Sequence, residues 1–157
     1  MHRARLSRYL SGVSCFACSA PHDPHALLTV CTRCAMPLRV DYDLAAIRLA
    51  RSDVRTRAPT LWRYRELLPL EEGDEISLGE GFTPLLPVEP RVWIKDEARN
   101  PTGSFKARGM ALAVSMAKHL GARALSAPSA GNAAGALAAY GARAHLPVTV
   151  AMPADTP

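Results

Sequence analysis

The stretch WIKDEARNPTGSFKARGMALAVSMAKHL, residues 93–120, decides how the second half of the chain folds. An apolar strand leads into a turn that contains Pro101 and Gly103, and a helix is expected from Ser104, whose hydroxyl can cap it. Apolar residues then recur at helical spacing, at Met110, Ala113, Val114 and Ala117. Gly121 stands where this helix should end.

The segments around this helix alternate between strands and helices. Strands are predicted for RVWIKDE (91–97), RALSA (123–127) and PVTVAM (147–152), and a second helix for NAAGALAAYGARA (132–144). The order βαβαβ predicts an α/β fold with parallel strands joined by right-handed crossovers. In such sheets ligands bind beyond the carboxyl ends of the strands, so the loops that leave those ends form the candidate site.

Lys106 lies in the first of these loops, where a cation is unfavourable. Only three of the nineteen basic residues are lysines, so arginine is the usual cation of this chain. The positive end of the helix dipole disfavours an ammonium group and lowers the cost of a neutral amine. A neutral lysine is nucleophilic and can form a Schiff base, which arginine cannot. The alternative is a surface lysine that extends into solvent.

The second loop, APSAGNAAG (127–135), also begins a helix. Ser129 and Asn132 flank Gly131 and Ala130, so free backbone N–H groups, a hydroxyl and an amide could together hold a carboxylate or phosphate. Simple helix capping by Ser129 or Asn132 is the alternative. The loop lacks the Gly-x-Gly-x-x-Gly fingerprint, and the chain has no Gly-Lys-Ser/Thr, which argues against a dinucleotide or ATP site.

All four cysteines lie in CFACSAPHDPHALLTVCTRC, residues 15–34. Two Cys-x-x-Cys pairs, Cys15 with Cys18 and Cys31 with Cys34, offer four thiolates to a structural zinc ion. His22 and His25 could replace a thiolate, but four cysteines already complete a closed site without an open position for substrate. Two disulfides are the alternative, which the lack of a secretory signal disfavours.

Charge and hydropathy separate the two parts of the chain. Residues 1–65 carry a net charge of +7 and residues 66–157 a net charge of −2. A basic arm could bind nucleic acid, but an arginine-rich face exposed to solvent is the commoner interpretation. The segment LWRYRELLPL (61–70) is expected to pack its apolar residues against a neighbouring domain, and these residues are Trp62, Tyr64, Leu67 and Leu68. No apolar run is long and uncharged enough to span a bilayer, and we expect a cytoplasmic protein, with Arg3, Arg5 and Arg8 as a lead-in rather than a transit peptide.

Several motifs resemble a known family. SLGEGFTPLLP (77–87), WIKDEARNPTGSFKARGM (93–110) and APSAGNAAGALAAYGARA (127–144) follow the four-cysteine ribbon and RVDYDL (39–44). Together they resemble the N-terminal part of threonine synthases, which are fold type II enzymes that depend on pyridoxal phosphate. The resemblance implies a zinc ribbon with its basic lead-in at 1–40, a connecting arm at 41–75, and an incomplete catalytic domain at 76–157.

The resemblance also implies roles for individual residues. Lys106 would carry the cofactor covalently and move protons on the substrate, and Asn132 would bond the cofactor's ring hydroxyl. The turn Ser129, Ala130, Gly131 and Asn132 would hold the substrate carboxylate, and Thr83 would border the site or only stabilise its turn. In this family the substrate is O-phosphohomoserine, which loses phosphate from the γ carbon and gains water at the β carbon.

Two departures from the family pattern widen the choice of function. Ala107 stands where many members have an acid, and the family's phosphate cup and the residue that meets the ring nitrogen lie beyond Pro157. We therefore expect part of a longer enzyme, inactive and poorly stable alone, with a homodimer suggested by family analogy. One alternative is a serine/threonine dehydratase or a cysteate synthase of the same fold. Another is a zinc-ribbon module that binds nucleic acid, but the ribbon contains only one arginine, which argues against this function.

Overall fold

A computed structural model describes residues 5–156, so Arg3 of the basic lead-in and Pro157 lie outside the described residues. The N-terminal part forms a small antiparallel sheet in the order β2-β1-β3. Its strands are β1 (Leu10–Cys15), β2 (Pro21–His22) and β3 (Leu38–Tyr42). The sheet is too small to bury a core of its own, and its fully buried side chains are two cysteines, Cys15 and Cys31.

The connecting arm contains helix α1 (Arg51–Thr56) and a 3-10 helix (Leu61–Leu67). Arg57 holds Glu66 through two bonds of 2.7 and 2.6 Å, which fixes the approach of one helix to the other. Trp62 and Leu68 are buried in the main core, which confirms the docking predicted for them. Tyr64 and Leu67 are exposed, so the prediction was wrong for those two residues.

Residues 85–95 form a hairpin, and this corrects the predicted sheet. Strand β4 (Leu85–Glu89) pairs antiparallel with β5 (Val92–Lys95), and together they make a separate two-stranded sheet. The physical reason is the length of the link, because two residues between strands allow only an antiparallel return. The sequence RVWIKDE therefore supplies a strand, as predicted, but not a member of the parallel sheet. All residues of both strands are exposed.

The rest of the chain has the predicted α/β order. Helix α2 (Lys106–His119) precedes strand β6 (Leu125–Pro128), helix α3 (Asn132–Ala144) and strand β7 (Val148–Ala151). β6 and β7 pair in parallel, and α3 is their crossover connection. The predicted bounds of α3 are confirmed, and Gly121, at φ +84°, follows the end of α2 as expected.

The core lies between the two helices, the arm and the parallel strands. Helix α2 buries Ala107, Ala111 and Val114, whereas Ala113 is exposed, so the predicted apolar face was displaced by part of a turn. Small residues bring the layers together: a Cβ on Gly141 of α3 would lie 2.2 Å from Cγ2 of Val148 on β7. In the described part of the chain, no helix has the length and apolarity that crossing a membrane requires.

Candidate functional site

The N-terminal ends of α2 and α3 lie at the same edge of the parallel sheet. Near the other ends of the helices, Lys118 Nζ donates a hydrogen bond to the carbonyl of Ala144 at 3.1 Å, so the two helices run in the same direction. α3 begins just after β6, so its start lies at the carboxyl edge of β6 and β7, and the start of α2 lies on the same side because the two helices run in the same direction. Lys106 and Asn132 are the first residues of these helices.

Lys106 is half-buried at the start of α2. Its backbone N–H donates to the Ser104 hydroxyl at 3.3 Å, but the residue at the N-cap position is Phe105, which makes no side-chain cap bond, so the predicted capping by Ser104 is replaced by a local bond one residue earlier. Its Nζ lies 4.5 Å from the centre of the Phe105 ring, a cation–π contact that holds the amine against the ring.

The turn that precedes α3 is held at both sides. The backbone N–H of Ser129 donates to the carbonyl of Ala151 on β7 at 3.0 Å, and the Ser129 hydroxyl accepts from the N–H of Gly131 at 3.3 Å. Gly131 is the cap, and the N–H groups of Asn132 and Ala133 lie in the first turn, where a helix has no acceptors for them. Those two N–H groups, the N–H of the exposed Ala130, the Ser129 hydroxyl and the exposed Asn132 amide can face a ligand at this turn.

Thr83 belongs to a cluster of polar side chains around Glu97. Arg108 binds the Glu97 carboxylate through two bonds, Nε to Oε2 at 2.6 Å and Nη2 to Oε1 at 2.7 Å. The Thr83 hydroxyl donates to Oε1 at 2.5 Å, and the Asn100 amide donates to Oε2 at 3.0 Å. Thr83 and Asn100 are buried, so the Thr83 hydroxyl already serves this cluster. The Arg108 guanidinium, with Thr83 and Asn100, lowers the pKa of Glu97 to about 2.

Glu80 is a fully buried carboxylate that the sequence did not single out. Oε1 accepts from Trp62 Nε1 at 2.7 Å and from the Ser77 hydroxyl at 3.1 Å. Oε2 accepts from the Leu78 N–H at 2.9 Å and from the Tyr140 hydroxyl at 2.7 Å. Burial, followed by the neighbouring Glu80 carboxylate, raises the pKa of Tyr140 well above its ordinary range. The four bonds join the arm to α3, and a lone acid in a glycine-rich turn carries no sequence signal of such burial.

The four cysteines form one cluster, in which all sulfur atoms lie within 4.8 Å of one another. Sulfur atoms at the corners of a tetrahedron around zinc, with bonds of ~2.3 Å, would be ~3.8 Å apart. The recorded separations are 3.4 Å for Cys15 and Cys34, 3.8 Å for Cys18 and Cys31, and 3.5 Å for Cys18 and Cys34. These distances fit a tetrahedral metal site, and they are too long for disulfide bonds of ~2.0 Å.

Backbone groups also prepare this cluster for thiolate ligands. The N–H groups of Ala17 and Cys18 point at the Cys15 sulfur, each at 3.4 Å, and the N–H of Arg33 points at the Cys31 sulfur at 3.3 Å. The Cys18 N–H, followed by the Ala17 N–H, lowers the pKa of Cys15 to about 6. Donors aimed at sulfur stabilise the deprotonated form, which is the form that binds metal.

A family model described as "Pyridoxal-phosphate dependent enzyme" matches residues 76–157, the part of the chain that holds the hairpin, both helices and the parallel strands. This match covers more than half of the chain, and the chain belongs to that family. The cofactor fits the edge described above in its chemistry, because the edge offers a lysine amine together with N–H groups at a helix start.

Among individual proteins, this chain is 36% identical over 150 residues to a threonine synthase of Methanosarcina acetivorans, a match over 90% of this chain and 37% of the relative. It is 48% identical over 101 residues to a threonine synthase of Halalkalibacterium halodurans, over 59% of this chain and 28% of the relative. A threonine synthase of Methanocaldococcus jannaschii is 35% identical over 88% of this chain and 37% of the relative. The chain thus spans roughly a third of the length of these relatives.

Proposed function

We propose that this chain supplies the lysine-bearing part of a pyridoxal-phosphate-dependent threonine synthase, a lyase that converts O-phosphohomoserine and water to threonine and phosphate. The observation that carries the proposal is the placement of Lys106 and the Ser129 to Asn132 turn at one edge of the parallel sheet. The threonine synthases among the relatives support the choice of reaction.

Each part of this edge has a task in such a reaction. Lys106 would hold the cofactor through its side-chain amine, and the same amine could accept and return protons at the substrate carbons. The turn Ser129, Ala130, Gly131 and Asn132, with the N–H groups at the start of α3, would hold the substrate carboxylate, and the Asn132 amide would donate to the cofactor's ring hydroxyl. When bound, the cofactor supplies an electron sink for negative charge on the substrate.

Thr83 has a less direct part in this proposal. Because its hydroxyl is buried and already bonds Glu97 and Arg108, its contribution to substrate binding would require those bonds to open. We infer that the Thr83 side chain stabilises the Glu97 cluster next to the site, and that only the Thr83 backbone borders the site.

Ala107 leaves two alternative reactions of the same fold open. It is fully buried against the core, so an acid at this position would need a polar partner that the core does not provide. A dehydratase or cysteate synthase of the same fold therefore stays in the comparison. The test uses the complete polypeptide that contains this sequence. Phosphate release from O-phosphohomoserine would indicate a threonine synthase, whereas ammonia release from serine would indicate a dehydratase.

The proposed role of Lys106 can be tested on the chain itself. The chain is incubated with pyridoxal phosphate and reduced with borohydride, and the modified lysine is identified by peptide mass spectrometry. We expect Lys106 to carry most of the label, and Lys106→Ala to abolish it while Lys118→Ala leaves it unchanged. If label falls equally on Lys95, Lys106 and Lys118, the proposed attachment is wrong.

We further propose that the four-cysteine cluster holds a structural zinc ion. A four-thiolate site leaves no position for substrate, so the ion would supply folding energy to a sheet that has little core. The lysine site and the cysteine cluster thus have separate roles. We propose a cytoplasmic location and a homodimer for the complete enzyme, and no nucleic-acid or membrane partner.

A further inference from the structure

The loop that carries Lys106 is held at both ends by one carboxylate. It begins at Asn100, whose amide donates to the Glu97 carboxylate at 3.0 Å and to the Glu97 carbonyl at 2.9 Å. It ends in the first turn of α2, where Arg108 holds the same carboxylate with bonds of 2.6 and 2.7 Å. Lys106 lies between these two attachment points, two residues before Arg108.

The bonds of Glu97 to Asn100 and Arg108 form a clamp on the loop, and a second set of contacts attaches this clamp to the rest of the domain. Asn100 accepts a hydrogen bond from the N–H of Gly81 at 3.0 Å, and Arg108 donates to the Thr83 hydroxyl at 3.2 Å. Gly81 has φ +103°, and a Cβ there would lie 2.7 Å from the Leu61 nitrogen, so its backbone has little room to move. The clamp is therefore anchored to a rigid segment and not only to its own loop.

We propose that Glu97 is a positioning residue for Lys106, acting through Asn100 at the start of the loop and Arg108 at its end. The inference rests on the proposed attachment of the cofactor to Lys106. Glu97 does not touch the reacting amine, and its effect is to keep the loop from opening. Its ionised form is required, because only a carboxylate can accept from Arg108, Thr83 and Asn100 at the same time.

The contacts of Glu97 explain why the loop stays ordered although it contains a glycine and an exposed aromatic side chain. Gly103, at φ +69°, and the exposed Phe105 would by themselves favour an open, fluctuating segment. A bidentate pair between Glu97 and Arg108 restrains the segment more than a point charge could, since its planar geometry fixes direction as well as distance. A lysine that must meet an aldehyde gains from such preorganisation.

The test compares Glu97→Gln with Asp96→Asn, a matched control that removes the neighbouring carboxylate, whose bond to Arg99 is 3.3 Å long and exposed. Amide hydrogen exchange of residues 100–108 is measured on the full chain without cofactor. We expect exchange in this segment to rise roughly tenfold to a hundredfold in Glu97→Gln and less than about twofold in the control. Borohydride-trapped pyridoxal phosphate on Lys106 should fall, while label on Lys118, at the far end of α2, stays constant.

A second variant keeps the test decisive if Glu97→Gln unfolds the chain. Arg108→Lys retains the charge and loses the two-bond geometry, so it should raise exchange in the same segment by a smaller factor. If Glu97→Gln is folded, unchanged exchange together with unchanged Lys106 labelling would overturn this inference but not the proposed function. If Glu97→Gln unfolds, unchanged exchange in Arg108→Lys would do the same. Absence of selective Lys106 labelling in the unmodified chain would instead overturn the proposed function, whatever Glu97 does.

Discussion

Replacing Tyr140 with phenylalanine removes one hydroxyl from the buried Glu80 cluster and nothing else. Both side chains are fully buried, and the hydroxyl donates to Oε2 at 2.7 Å. A hydrogen bond to a charged group contributes about 1.5–3 kcal/mol, and a buried acceptor that loses a donor incurs the upper part of that range. Three donors remain on Glu80, so we expect Tyr140→Phe to lower the free energy of unfolding by about 2 kcal/mol.

The measurement is urea unfolding followed by tryptophan fluorescence. Trp62 is a suitable probe because it is buried and bonds the same carboxylate at 2.7 Å. For a chain of this size the expected loss corresponds to a fall in Tm of about 4–8 °C. Tyr64→Phe is the control, because Tyr64 is exposed and has no hydroxyl partner among residues 5–156. A loss below about 0.5 kcal/mol in Tyr140→Phe, or one equal to the control, would refute the assignment of Glu80 as the acceptor of four stabilising hydrogen bonds.

Three further predictions concern the metal, acid stability and the lysine. We expect elemental analysis to find about one zinc ion per chain. Cys31→Ser should lose this zinc and also the ribbon's protection from proteolysis. A zinc-free protein whose ribbon still resists proteolysis would contradict this prediction. Because the pKa of Glu97 is lowered to about 2 from an ordinary 4.5, its stabilisation is complete above about pH 5 and lost as the pH falls through 4.5 towards 2. The stability difference between the unmodified chain and Glu97→Gln should therefore shrink by roughly 1–2 kcal/mol between pH 6 and pH 3, less than the full shift because the carboxylate is partly solvated, and a constant difference would exclude this linkage. Phe105→Leu removes the aromatic ring that Lys106 Nζ contacts, so the amine no longer has to leave that ring and pyridoxal phosphate should label Lys106 roughly twofold to fivefold faster, with Lys118 as the unchanged reference.

The sequence predicted the parts of the fold that depend on local pattern. Helix α3 follows from its alanine-rich run between Gly131 and His145, and the four-cysteine cluster follows from spacing alone. The pairing of β5 was predicted wrongly, because LLPVE contains a proline and did not suggest a strand. Once β4 is recognised, the two-residue link to β5 determines antiparallel pairing.

The Glu80 and Glu97 clusters could not be predicted for a different reason. The donors to Glu80 come from Trp62, Ser77, Leu78 and Tyr140, which are up to sixty positions away in the chain. No local pattern encodes such a set, and acids beside glycine or arginine are usually solvated on a protein surface. The sequence identified the two loops that present chemistry, but not the side chains that hold those loops in place.

Residues 80–83 connect the lysine loop, helix α3 and the arm. Glu80 holds α3 through Tyr140, Gly81 holds the start of the lysine loop through Asn100, and Thr83 holds its end through Glu97 and Arg108. The carbonyl of Glu80 also accepts from the Leu61 N–H at 2.7 Å, so the same four residues attach the arm. Since these contacts meet within one short segment, we expect a displacement of the arm to disturb both the lysine loop and the packing of α3. The arm is therefore part of the support of the site, and changes in Trp62 should affect Lys106 even though the two side chains belong to different segments.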